Sequence, residues 1–160
     1  MGRKRDLISK TARVVSRPMA KTKRMRKFKK SPRLIVVMLH HITAGEMPND
    51  ESREITITTE NLRKYLELLK SRFNIQTFHE SAERIRRGEE GPFLVLSFDD
   101  GYADFYENAF PILKELGLPA NQNLIVKYTD EGRPGYMNWA QVKELRNSGL
   151  IEFGCHTYDK

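Results

Sequence analysis

The sequence predicts an α/β fold in which a parallel sheet or barrel is covered by helices on the outside. Apolar runs typical of buried strands occur at Leu34–Leu39, at 93–98 and at 150–155, and patterns typical of amphipathic helices lie between them. This alternation indicates parallel strands, because a helix usually carries the chain back to begin the next parallel strand. The chain has 160 residues, the length of one domain. It is short for a closed α/β barrel, which typically needs ~200 residues or more.

The charge divides the chain into a basic tail and a mildly acidic domain. Residues 1–33 hold 14 Lys and Arg against one acid, a net charge of +13, whereas the remaining 127 residues have a net charge of −6. We expect residues 1–33 to form a solvated, disordered tail and residues 34–160 to form the domain. The alternative is that the tail contacts an anionic lipid surface or nucleic acid. Because Phe28 is the only aromatic residue in the tail, no specific nucleic acid is expected.

Cysteine content and hydropathy say little about location. Cys155 is the only cysteine, so no internal disulfide is possible. No apolar run approaches the ~18 residues of a transmembrane helix. Leu34–Leu39 is six residues long and is followed by His40 and His41 rather than by a small-residue cleavage site, so we interpret it as a strand and not as an export signal.

The first half of the domain begins with a strand whose apolar residues do not alternate with polar ones. Leu34–Leu39 therefore predicts a central strand covered on both faces. Thr58 or Thr59 can cap a helix whose apolar residues recur at helical spacing. The other predicted elements are a loop over 43–53, a brief strand over 55–57, the capped helix over 60–72, a short strand over 75–78, a helix over 80–87 and a buried strand over 93–98.

The second half continues the alternation. A helical pattern follows residue 102 and ends at Gly117, and Pro111 inside it predicts a kink or a fresh first turn, since proline costs ~3 kcal/mol in a helix interior. Asn138 and Gln141 form a capping box that opens a helix over 139–147. A strand over 121–127, a loop over 129–135 and a last strand over 150–155 complete the predicted elements.

Ionisable side chains follow three of the predicted strands. Asp99 and Asp100 come after the buried strand, His156 after the last strand, and His40 and His41 after the first. In a parallel arrangement these strand ends share one rim, where α/β proteins bind ligands. Carboxylate and imidazole suit zinc or another divalent transition ion. One aspartate would hold the metal and the other would act as a base towards a water.

A purely structural interpretation stays open at this point. Asp-Asp-Gly at 99–101 is also a common turn sequence, because aspartate bonds to nearby backbone and glycine accepts a positive φ. A single histidine at a strand end is more often a hydrogen-bonded structural residue than a ligand, and this applies to His40 and His41.

Two motifs resemble those of a known family, the polysaccharide deacetylases, which are the NodB-homology domains of carbohydrate esterase family 4. FDDGY at 98–102 and HTYD at 156–159 look like the first two motifs of that family, in the same order. The segments at 37–42, 106–113 and 137–139 are similar to the first strand, the helix after the acidic motif and the helix before the second motif. The resemblance covers about residues 34–160.

The resemblance implies a fold, an activity and roles for particular residues. The fold would be a distorted (β/α) barrel, of which this chain holds about the first half. Asp99 would be the general base, Asp100 and His156 would be metal ligands, and Thr157 would brace the loop. The metal is usually zinc, sometimes another divalent ion, and the reaction hydrolyses N-acetyl groups on a polysaccharide such as poly-N-acetylglucosamine, chitin or peptidoglycan. Members of the family mostly work outside the cytoplasm.

The chain also departs from the family pattern. A second ligand histidine usually stands four residues after the first, where this chain has Lys160, and some relatives place it at the equivalent of position 161. The later motifs, with an arginine that orients the base and a histidine that acts as general acid, are absent. We therefore expect a truncated deacetylase, with a non-catalytic remnant or a carbohydrate-binding fragment as the alternative. Details of the first strand and second motif favour the poly-N-acetylglucosamine type.

Overall fold

A computed structural model describes residues 34–159, so the predicted basic tail 1–33 and Lys160 lie outside the described residues. These residues form seven strands and five α-helices, with a short 3₁₀ helix and one π-helical segment. The strands are β1 (Leu34–Leu39), β2 (His41–Thr43), β3 (Thr56–Thr58), β4 (Asn74–Ile75), β5 (Phe93–Phe98), β6 (Ala120–Leu124) and β7 (Ile151–Cys155). The helices are α1 (Thr59–Lys70), α2 (Phe78–Arg86), α3 (Phe110–Leu116), α4 (Val126–Asp130) and α5 (Trp139–Asn147), with the 3₁₀ helix at Glu51–Ile55 and the π-helical segment at Phe105–Ala109.

The larger sheet is parallel and has the order β1-β5-β6-β7, with β4 also paired to β5. β1 pairs with β5 along its whole length, whereas β4 pairs with the start of β5 and β6 with its end. A second, two-stranded parallel sheet joins β2 to β3. This parallel sheet with its crossover helices confirms the predicted α/β class, and the arrangement is that of a partial distorted barrel.

The hydrophobic core lies on one face of the larger sheet. All six residues of β5 are buried, and every second side chain of this strand joins the core cluster. Each buried leucine or phenylalanine there contributes roughly 2 kcal/mol by leaving water. Most of the largest fully buried side chains come from β5, α1 and the helical region after the acidic pair, and these include Leu62, Leu66, Leu94, Leu96, Phe98, Phe105 and Leu113.

The expectation that the first strand is covered on both faces is wrong for the described part of the chain. Leu34, Val36 and Met38 are 41, 45 and 65% exposed, whereas the alternate residues pack against the core. The physical reason is that β1 ends the larger sheet, so β5 covers one edge and the core covers only one face. An apolar run without alternation therefore did not distinguish a central strand from this end strand.

Several element bounds match the predictions and a few differ. The strands Leu34–Leu39 and Phe93–Phe98 and the helix Trp139–Asn147 have the predicted bounds. Pro111 is the second residue of α3, so the fresh first turn is the correct alternative.

Two of the differences occur where a helix begins earlier than hydropathy indicates. Thr77 caps α2 in a capping box with Glu80, which ends the preceding strand at Ile75 rather than at residue 78. The strand predicted over 121–127 ends at Leu124, because α4 begins at Val126 and extends into the predicted loop. No helix in the described part of the chain has the length and hydropathy of a membrane span.

Candidate active site

The acidic pair lies where β5 ends, as the sequence predicted. The backbone N–H of Asp99 donates to Leu39 O at 2.9 Å, which continues the hydrogen bonding between β5 and β1 by one residue. Asp100 then turns the chain with a φ of +73°, and Gly101 follows with a φ of +83°. The carbonyl of Gly101 accepts from Met137 N–H at 2.9 Å, so the turn is fixed to the segment before α5.

Backbone strain marks two positions of this rim. Among residues 34–159, only Asp100 and Thr157 combine a side chain with a positive φ, of +73° and +67°. A positive φ costs residues other than glycine roughly 1–2 kcal/mol. It is tolerated where contacts with the surrounding structure hold the backbone in that conformation. One position is a predicted metal ligand and the other directly follows His156, so the strain is confined to the predicted site.

The structure brings the two predicted ligands together. His156 follows β7, and its backbone N–H donates to Leu124 O at 2.8 Å. Its Nε2 lies 3.3 Å from Asp100 Oδ1, and the side chains of His156 and Asp100 are 36 and 5% exposed. The hydroxyl of Tyr102 donates to the other oxygen, Asp100 Oδ2, at 3.2 Å. Carboxylate and imidazole therefore meet at the rim, open to solvent on the histidine side.

Asp99 is buried and held by neighbours that the sequence reasoning did not identify. Asn123 Nδ2 donates to Asp99 Oδ1 at 2.8 Å and to Ser97 Oγ at 3.0 Å. Ser97 Oγ lies 3.3 Å from the same Asp99 oxygen. The available signal was the run of polar residues at 121–123 in a predicted strand, which the structure buries at every position except the partly buried Asn123.

His41 also lies at this rim, bonded to a carboxylate that the sequence reasoning missed. Its Nδ1 is 2.7 Å from Asp104 Oδ2, and its ring packs on Tyr102 with centroids 3.7 Å apart. Burial raises the pKa of Asp104, against the hydrogen bond from His41, which lowers it. His40 instead lines a separate pocket with Met38 and Ile55. Of the two histidines left open by the sequence, His41 is thus the one that packs on Tyr102, the residue whose hydroxyl bonds Asp100.

Tyr102 connects this imidazole to an aromatic cluster. Its ring lies 5.0 Å from that of Tyr136, which in turn lies 4.7 Å from that of Tyr128. The Arg133 guanidinium stands 4.1 Å from the Tyr128 centroid, a cation–π geometry. Burial is the main cause that raises the pKa of the Tyr102 hydroxyl, so this group stays protonated and donates to Asp100 at neutral pH.

The donor set suits a divalent transition ion but offers two potential protein ligands. Carboxylate oxygen and imidazole nitrogen are ligands that zinc accepts, and Asp100 and His156 are already close enough to share one ion. Catalytic zinc sites usually have three protein ligands. Within residues 34–159 there is no group of three histidine, cysteine or acidic side chains that could hold a metal ion. The predicted brace Thr157 donates its hydroxyl to Asp159 O at 2.8 Å, within the loop after His156.

Similarity to known proteins extends over the segment that carries this site. The family model described as polysaccharide deacetylase matches residues 86–160, which include both motif segments. This chain carries part of a polysaccharide deacetylase domain. The resemblance at the two motifs is thereby confirmed.

Relatives of this deacetylase domain agree with that assignment. The poly-beta-1,6-N-acetyl-D-glucosamine N-deacetylase of Escherichia coli K12 is 30% identical, over 68% of this chain and 19% of the relative. The enzyme of the same name from Staphylococcus epidermidis is 28% identical, over 68% of this chain and 39% of the relative. The chain thus spans well under half the length of these curated relatives.

The fold of the chain is also similar to that of solved deacetylase structures. A solved structure of a de-N-acetylase from Aggregatibacter actinomycetemcomitans superposes with a TM-score of 0.68 and 27% identity, covering 79% of this chain and 55% of the other. The partial barrel described above is therefore the deacetylase fold over the described residues.

Proposed function

We propose that this deacetylase domain takes part in metal-dependent hydrolysis of N-acetyl groups on a polysaccharide, with poly-N-acetylglucosamine as the favoured substrate class. The observation that carries the proposal is the contact between Asp100 Oδ1 and His156 Nε2, 3.3 Å apart, directly beside Asp99. Metal-dependent hydrolysis of an amide needs side chains that hold the metal ion and, next to them, a separate base that takes a proton from the attacking water. The substrate class is suggested by relatives named as deacetylases of that polymer.

Asp100 and His156 are the residues that would hold the ion, preferably zinc. When bound, the ion would supply Lewis-acid polarisation of the acetyl carbonyl and make a water easier to deprotonate. The hydroxyl of Tyr102 donates to Asp100 Oδ2, and the other oxygen, Oδ1, faces His156. Tyr102 thereby orients the carboxylate, as outer hydrogen bonds commonly do for metal ligands.

Asp99 is the proposed general base. Within the described residues, its side-chain hydrogen bonds end on Oδ1, so Oδ2 is the oxygen that takes the proton from the attacking water. The hydroxide adds to the acetyl carbon, the C–N bond breaks, and acetate leaves. General base catalysis of this kind contributes typically ~10²–10⁴-fold.

His41 is the proposed donor of the proton that the departing amine nitrogen needs. Its Nδ1 is bonded to Asp104 at 2.7 Å, which leaves Nε2 as the atom that can exchange a proton with substrate. Its ring lies against Tyr102, the same residue that bonds Asp100, so Tyr102 links the imidazole to one of the proposed ligands. A carboxylate that fixes the orientation of an imidazole is a recurring device in acid–base catalysis.

A non-catalytic, carbohydrate-binding role is the second candidate. It is favoured by one observation, the presence of two rather than three potential protein ligands around Asp100 in the described part of the chain. Contact between residues 1–33 and an anionic surface stays a prediction.

Two measurements on the purified chain test the proposal. Zinc affinity is measured by titration calorimetry, and acetate release is measured with N-acetylglucosamine oligomers linked β-1,6. Asp100→Asn should lose stoichiometric zinc binding and acetate release together. Asp50→Asn is the matched control, because Asp50 is an exposed helix cap whose role asparagine can fill, and it should leave both unchanged.

The outcomes separate the two candidates. Zinc binding with acetate release in the parent chain, lost in Asp100→Asn, supports the hydrolase. Binding of the oligomer without acetate release at saturating zinc supports the carbohydrate-binding role instead. Unchanged zinc affinity in Asp100→Asn would contradict the ligand assignment.

A further inference from the structure

We infer that Asn123 is a positioning residue for Asp99, and that Gly154 on the neighbouring strand provides the space that this role requires. The inference rests on the proposed role of Asp99 as base. It concerns how the carboxylate is held, which the resemblance to the family does not address: there the orienting group is an arginine in a later motif. In this chain an amide from β6 contacts the base directly.

The hydrogen bonds define one orientation of the carboxylate. Asn123 Nδ2 donates to Asp99 Oδ1 at 2.8 Å and to Ser97 Oγ at 3.0 Å, so the amide binds two side chains of the β5 segment at once. Ser97 Oγ lies 3.3 Å from the same carboxylate oxygen. Ser97 and Asp99 are 4 and 6% exposed and Asn123 is partly buried, so water competes less for these bonds than it would at the surface. Oδ1 is thereby occupied and Oδ2 is left for the water.

Strand register explains why the amide reaches the base. Asn121 pairs with Ser97 between β6 and β5, and Asn123 lies two residues further along β6 on the same face. This face continues on β7, where Asn123 pairs with Gly154. Position 123 therefore stands between the base on one strand and a glycine on the other.

Gly154 is required by a close approach rather than by backbone conformation. A Cβ at this position would lie well inside van der Waals contact with Asn123 Oδ1, and 3.4 Å from Asn123 Cγ. The absence of a side chain at 154 thus leaves the volume that the Asn123 carboxamide fills. Because the clash involves the end of a side chain, Gly154→Ala can be accommodated by rotation of Asn123, which breaks its bond to Asp99.

The geometry gives two independent perturbations of one contact. Asn123→Leu removes the donor while keeping a similar volume. Gly154→Ala keeps the donor and displaces it. Gly45→Ala is the matched control, since a Cβ added at Gly45 would have only Thr43 Oγ1 within 4 Å, at an ordinary contact distance of 3.9 Å, and Gly45 has no positive φ.

The first test is spectroscopic and does not depend on turnover. In the ¹⁵N-labelled chain of 160 residues, the Nδ2 amide signals of Asn123 are assigned by their disappearance in Asn123→Leu. Asp99→Asn and Gly154→Ala should each shift these signals, whereas Gly45→Ala should not. If the Asn123 signals shift in neither Asp99→Asn nor Gly154→Ala, the hydrogen bond between Asn123 and Asp99 is overturned, whether or not the chain hydrolyses substrate.

The second test is kinetic. Asn123→Leu and Gly154→Ala should each lower kcat by roughly 10- to 100-fold with KM unchanged, because a misplaced catalytic group loses rate rather than substrate affinity. Zinc affinity should stay at the parent value, since Asn123 bonds to neither Asp100 nor His156. Full kcat in both variants, with turnover lost in Asp99→Asn, would overturn the inference and leave the proposed function intact. Full turnover in Asp99→Asn would overturn the role of the base itself.

Discussion

Gly101→Ala should destabilise the fold by more than a glycine-to-alanine change at an ordinary turn. Gly101 has a φ of +83°, and a Cβ there would lie 2.9 Å from Leu124 Cδ2 and 3.5 Å from Leu124 Cα. Leu124 is 4% exposed and ends β6, so its side chain has little room to move. The turn that carries the acidic pair is thus limited both by backbone conformation and by contact with the next strand.

The magnitude follows from these two contributions. A left-handed conformation costs an alanine roughly 1–2 kcal/mol. Crowding a packed side chain adds roughly 1–3 kcal/mol. Gly117→Ala provides the control, because Gly117 ends α3 with a φ of +63° and a Cβ added there would have nothing within 4 Å. We therefore expect Gly101→Ala to lose about 1–3 kcal/mol more than Gly117→Ala, the part that crowding contributes.

Urea unfolding of the parent and both variants measures this difference. The slope of the free energy of unfolding against urea should be the same in all three, so that the midpoint reports stability. Equal losses in the two variants would refute the reasoning, since they would mean that the contact with Leu124 contributes nothing.

Two further changes test burial and charge. Leu96 is fully buried, so Leu96→Ala should lower the free energy of unfolding by roughly 2–5 kcal/mol. Met38 is 65% exposed, so Met38→Ala should change it by less than about 0.5 kcal/mol. Comparable losses in the two variants would mean that the outer face of β1 is covered. Asp104 has a pKa raised above 3.8 by burial, so the folded chain holds this proton more tightly than the unfolded chain and stability should fall as pH rises above 3.8. Asp104→Asn should flatten the dependence of Tm on pH in that window, and a slope identical to that of the parent would contradict the burial argument.

The parts of the site that the sequence predicted are those fixed by strand ends. Asp99, Asp100 and His156 each follow an apolar run, and parallel strands place such residues on one rim without further information. The shared rim was therefore predictable from the order of the elements, and the structure adds the contact between Asp100 and His156. The two strained positions agree with this, since Asp100 and Thr157 both turn the chain away from a strand end.

The parts that the sequence did not predict depend on pairing between distant segments. His41 contacts Asp104 across 63 residues, and Asn123 contacts Asp99 across 24. Hydropathy describes how much of a strand is buried but not which residue of one strand stands beside which residue of the next. The same limit explains β1, whose apolar run fits a central strand equally well.

Burial also distinguishes the two halves of the site. Asp99 and Asp100 extend from β5, a strand buried at every position, and they are 6 and 4% exposed. His156 extends from β7, the other end of the larger sheet, where Gly154 and Cys155 are exposed and the histidine side chain is 36% exposed. The hydrophobic core therefore fixes the acidic pair before any ion binds, whereas the imidazole depends on its backbone bond to Leu124 and on the strained turn after it. An ion shared by Asp100 and His156 would tie the less buried strand to the most buried one, so metal binding should stabilise β7 more than β5.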